Sequence, residues 1–187
     1  MEDERVVFVA LTKDEIAKMN REAALIGAQA ANQVHQKEEK ERKDRRLHNT
    51  DLLLKNYRSF KAHCKKAVYE KPSETTEEVI EDIMSMKGDR VIVDSILRTT
   101  QRTEIIVEHI DKMLDVYHVC CNKGTDAEKR QYNVIKELYI KGTSKNAAEI
   151  SQKLGVSKMT ISTDLKTAKN RLSVLFFGID GISYFCD

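Results

Sequence analysis

From Ser157 to Arg171 the chain carries side chains able to bind a polyanion and read hydrogen-bonding edges. They are Ser157, Lys158, Met159, Thr160, Ser162, Thr163, Lys166, Lys169, Asn170 and Arg171. Ammonium and guanidinium groups pair with phosphate oxygens. Hydroxyls and carboxamides reach phosphates or base edges, and a thioether offers apolar contact. From Thr143 to Leu172 the basic residues are Lys145, Lys153, Lys158, Lys166, Lys169 and Arg171, against only Glu149 and Asp164. The whole chain has a net charge of only +2, so this local excess is a patch and not a general property. A basic patch of this kind is an electrostatic footprint for double-stranded DNA.

The elements that must position these residues follow from the same stretch. Ile150 and Leu154 lie one helical turn apart and predict a short helix from Ala147. Gly155 comes next, where a helix end favours a residue that tolerates positive φ. Val156 packs the turn, and the Ser157 hydroxyl can cap a second helix. Ile161, Leu165, Ala168 and Leu172 give that second helix an apolar stripe. A short helix, a glycine turn and an amphipathic second helix are the pattern of a helix-turn-helix, whose second helix enters the major groove. A helical hairpin with a merely solvated basic face is the plainer alternative. Agreement of turn, cap, periodicity and charge favours the DNA-binding reading.

The run YNVIKELYIKGTSKNAAEISQKLGVSKMTISTDLKTAKNRLSVLFFGI, Tyr132 to Ile179, resembles region 4 of bacterial sigma factors. It is more similar still to the ArpU and RinA-like phage transcription regulators, which carry a region-4-like module. The resemblance covers roughly the last third of the chain, with a less specific likeness over HNTDLLLKNYRSFKAH, His48 to His63. It implies promoter-proximal DNA binding and a contact with RNA polymerase. It places Lys158, Met159, Ser162 and Thr163 where sigma region 4 reads the upstream promoter element. Sigma factors usually carry Arg, Glu or Gln at several of those positions. Met, Ser and Thr here imply a different target, or a contact resting more on backbone and shape.

Composition narrows the class further. With 33% charged residues, 6% aromatic residues, a single Pro and no Trp in 187 residues, the chain predicts an all-α protein. No run of about 18 apolar residues occurs, so no membrane span is expected. The start is acidic and its apolar run is short, unlike a signal peptide, and a cytoplasmic protein is expected. Cys64, Cys120, Cys121 and Cys186 form no C-x-x-C pair, and neither a metal nor a cofactor is expected. His63 and Cys64 are adjacent, which prevents them from facing each other on one helix. Phosphate-binding loops, nucleophile elbows and H-E-x-x-H are absent, so an enzyme is not expected.

Two regions follow: a helical N-terminal region, 1–122, and a DNA-binding domain, 123–187, expected to fold alone. Val6–Leu11 reads as a strand or an extended arm, and TKDE from Thr12 as a capping box opening a helix. Ile16, Met19, Ala23, Ile26, Ala30 and Val34 share a stripe with many small neighbours, which is either a surface for another helix or simply a helix rich in good helix formers. QKEEKERKDRR, 36–46, extends an exposed helix through i,i+4 ion pairs, and Asn49 and Thr50 interrupt the pattern. Leu53, Leu54, Tyr57, Phe60, Cys64 and Val68 restart it as a core helix ending near Pro72. SETTE from Ser73 caps an acidic helix. Asp89 to Tyr117 is then a long helix, or a pair broken near Thr99, whose stripe packs on earlier helices or forms a homodimer. Gly124 and Thr125 lead into a helix over Ala127–Ile140. The tail from Ser173 to Cys186 is too apolar to stay solvated. Phe176 and Ile179 belong to the core, and Tyr184 and Phe185 suit a partner.

The leading expectation is a sequence-specific, phage or prophage-derived transcription regulator acting near promoters. An alternative sigma factor and a phage small terminase subunit are the competing readings. Scattered Tyr57, Phe60, Tyr69 and Tyr117 are a poor match to a promoter-melting region.

Overall fold

The computed structural model describes residues 12–64, 74–141 and 146–178. It is an all-α protein, with no strand among the described residues. The helices are α1 (Lys13–Cys64), α2 (Thr76–Ser85), α3 (Asp89–Leu97), α4 (Thr100–Lys123), α5 (Asp126–Ile135), α6 (Ala147–Leu154) and α7 (Lys158–Phe177). A π turn over Lys136–Ile140 extends α5. The chain divides into two compact units, Met1–Lys43 and Asp44–Asp187, so the division falls inside α1.

Helix starts follow local chemistry. The Thr12 backbone N–H donates to Glu15 Oε2 at 2.8 Å, completing the expected box at the head of α1. Thr75 with Glu78 and Thr125 with Glu128 repeat that reciprocal arrangement at α2 and α5. Thr99 caps α4, so of the two readings of the Asp89–Tyr117 segment the pair broken near Thr99 holds.

Asn49 and Thr50 correct one expectation, because they do not interrupt the helix. Both are buried within α1. Asn49 Nδ2 donates to the Ile83 carbonyl at 3.2 Å, and the Thr50 hydroxyl donates to the Arg46 carbonyl at 2.8 Å. The donor groups of both side chains thus find carbonyls inside the fold, while Asn49 Oδ1 is buried without a hydrogen-bond partner among the described residues. The expected arm at Val6–Leu11, Ser73, the helix end near Pro72, and Ile179, Tyr184, Phe185 and Cys186 in the tail lie outside the described residues.

In the second unit one core joins Leu53, Tyr57 and Phe60 of α1, Ile83 of α2, Ile96 of α3 and Ile106, Ile110 and Tyr117 of α4 to Ile135, Ala168, Leu172 and Phe176. The stripe from Ile92 to Tyr117 is therefore used within the chain and is not a face for a second copy. The boundary expected at 122–123 falls in the last turn of α4, and the core joins residues on both sides of it. A smaller cluster of Val134, Ile150 and Ile161 binds α5, α6 and α7 to one another.

Candidate nucleic-acid interface

α6, its turn and α7 form a helix-turn-helix in the sense of local geometry. Gly155 is left-handed at φ 65° and ψ 28°, the conformation that glycine adopts without a Cβ penalty. Its N–H and that of Val156 both close on the Ser151 carbonyl, so the turn accounts for its own backbone groups. Ser157 Oγ accepts from the Thr160 N–H at 3.0 Å and starts α7. Ile161, Ala168, Leu172 and Phe176 are buried and set the rotation of α7. Leu165 is half-buried and touches both clusters.

That rotation leaves Lys158, Met159, Ser162, Thr163 and Lys166 exposed together. They recur at one-turn intervals and form a strip about 12 Å long, the rise of three or four base pairs. Met159 is the most exposed large apolar side chain among the described residues, at 81%. The Thr163 hydroxyl donates to the Met159 carbonyl at 3.0 Å, and the side chain is exposed with its oxygen still able to accept. Ser157 and Thr160 form the cap, with their hydroxyl oxygens 2.9 Å apart.

The rest of the predicted set has a different place. Lys169 is 19% exposed, ion-paired with Asp51 of α1, with its ammonium over the Tyr139 ring. Burial lowers its pKa, but hydrogen bonds to Asp51 and Tyr139 outweigh that and hold it above the ordinary lysine value. Arg171 Nη1 lies 2.6 Å from Glu128 Oε1. These two cations fasten α7 to α1 and α5, and Asn170 beside them is half-buried. Lys153 of α6 pairs with buried Glu137, and Lys145 lies outside the described residues. Of the basic excess read from the sequence, Lys158 and Lys166 remain without an ion-pair partner among the described residues.

The residues that hold the strip in place went unnoticed in the sequence. Arg130 grips buried Asp164 through two nitrogens, Nε to Oδ2 at 2.6 Å and Nη2 to Oδ1 at 3.3 Å. The Asp164 carboxylate holds the Arg130 pKa above its ordinary value. A two-pronged pair of this kind fixes angle as well as distance. One signal was available: Asp164 is an acid in the middle of an otherwise basic helix. Glu137 plays the same part for α6.

No protein-family model, curated protein or solved structure matches this chain. Among the described residues, none of the helices is long and apolar enough to cross a membrane.

Proposed function

We propose that the chain is a sequence-specific DNA-binding transcription regulator of the phage type that its last third resembles. α7 enters the major groove, and the protein acts next to a promoter, in contact with RNA polymerase. The observation that supports this is the exposed strip of Lys158, Met159, Ser162, Thr163 and Lys166 on a helix fixed by Asp164, Arg171 and its apolar stripe. Lys158 and Lys166 meet phosphates. Ser162 and Thr163 present hydroxyls to base edges, and Met159 offers apolar contact to a thymine methyl. Two lysines bring a modest electrostatic contribution, so a single module binds weakly and two linked modules gain strongly.

The test is selection of bound fragments from random DNA, followed by footprinting of the preferred site. A defined site beside polymerase-binding elements supports the reading, and the absence of any preferred sequence contradicts it. Initiation with core polymerase alone would instead identify a sigma factor. A ring of about eight or more copies would identify a packaging component.

A further inference from the structure

The first unit contains an amphipathic helical face that stays exposed among the described residues. Along α1 from Lys13 to Lys43, Ile16, Met19, Ile26 and Val34 are 46%, 55%, 65% and 57% exposed. Ile16, Ala23, Ala30 and Lys37 recur every seven residues, and Met19, Ile26, Gln33 and Lys40 fall three residues after them. This is the spacing of a heptad seam, apolar from Ile16 to Ala30 and polar at Gln33, Lys37 and Lys40, with Val34 on its flank. No Asp, Glu, Lys or Arg occurs between Glu22 and Lys37, in a chain of which 33% is charged. Gly27 lies in the middle of this window. A Cβ built there meets nothing within 4 Å, so nothing among the described residues requires its small size. A glycine in an exposed helix interior is unfavourable relative to alanine.

We propose that this face pairs with the same face of a second copy, antiparallel and symmetric about Ala28. In that register Ile26 lies beside Ala30 of the second copy, and Ala23 beside its Gln33. Met19 and Ile16 lie beside the aliphatic stems of Lys37 and Lys40, whose ammonium groups reach solvent. On the flanks Lys13 faces Glu41 and Glu15 faces Lys43, so opposite charges meet at both ends of the pair. Gly27 meets Gly27 beside the two-fold axis and lets the backbones approach. A parallel pair would instead stack Lys37 on Lys37 and Lys40 on Lys40, and would leave Glu15 and Glu22 facing Asn20 and Gly27. Charge and size thus select the antiparallel arrangement. This inference does not rest on the DNA-binding reading.

Sedimentation equilibrium of the full chain tests it. The expected result is a reversible dimer. Ile26→Asp weakens it at least tenfold and leaves the thermal melt of the second unit unchanged. Gly27→Ala raises helix content and yet weakens the dimer, a combination that a purely local role would not produce. Lys13→Glu weakens the dimer roughly threefold to tenfold, as expected for two symmetric exposed ion pairs, and adding Glu41→Lys restores it. A chain that stays monomeric, or a dimer indifferent to Ile26→Asp, would overturn the proposal. Failure of Glu41→Lys to restore Lys13→Glu would overturn the antiparallel register.

Discussion

Glu128 ties three parts of the second unit together through one carboxylate. It accepts from the Thr125 N–H at 2.7 Å, from the Thr125 hydroxyl at 3.0 Å and from Arg171 Nη1 at 2.6 Å. The backbone N–H of Thr125 is the largest influence, followed by Arg171, and together they lower its pKa from 4.5 to about 2. A carboxyl depressed in the folded state contributes stability that is fully present above the unfolded value and is lost as pH falls through the folded one. The melting-temperature advantage of wild type over Glu128→Gln should be constant above about pH 5 and shrink as pH falls towards 2. An advantage independent of pH over that window would show that the charge is not what binds α7 to α5. At this scale the exposed strip was legible because cap, turn and stripe are local in sequence. The placements of Lys169 and Arg171 were not. Their partners, Asp51 and Glu128, lie 118 and 43 residues away, and one-chain periodicity does not report which cation an acid will meet.

Among the elements, α7 carries both the candidate interface and much of the packing. Its apolar stripe continues without a break from Ile161 to Phe176, so the first turns of the tail belong to the helix. Phe176 is 2% exposed, its carbonyl lies 2.9 Å from His109 Nε2, and its ring is tilted against that of His109. Phe176→Ala should destabilise the second unit by roughly 3–5 kcal/mol, read by chemical denaturation, and should reduce DNA binding in step. A denaturation curve superimposable on wild type would remove Phe176 from the core. The helix boundaries were legible where a cap announced them, at Thr12 and Ser157, whereas the break at Thr99 was one of two readings of the Asp89–Tyr117 stripe. The π turn after α5 was not, since a periodicity of 3.6 residues carries no sign of a wider turn. Nor was the continuity of α1 through Asn49 and Thr50, which depends on the carbonyl of Ile83 from another helix.

For the whole molecule, the shared core changes what a fragment can do. In residues 125–187 alone, Ile135, Ala168, Leu172 and Phe176 would lose α1 and α4, leaving chiefly the small cluster of Val134, Ile150 and Ile161. A chain of that size rarely gains enough from its core to fold alone. The 125–187 fragment should therefore melt without cooperativity, and a 44–187 fragment should melt as the full chain does. A cooperative transition in the shorter fragment at the full chain's temperature would restore the autonomy that the sequence suggested. Periodicity showed that the stripes of the second unit would be buried. It did not show that the stripes of the N-terminal and C-terminal regions would be buried against each other.

The central claim is that the exposed strip of α7 is the DNA-binding surface, and the salt dependence of binding tests it most directly. Affinity for duplex DNA should be measured from low to moderate salt for wild type, Lys158→Ala, Lys166→Ala and the double variant. Neither lysine has an ion-pair partner among the described residues, so melting temperatures should not change. Each substitution should lower the slope of log affinity against log salt by about 1, and the double variant by about 2, on cognate and random duplexes alike. Slopes that match wild type in all three variants would contradict the account.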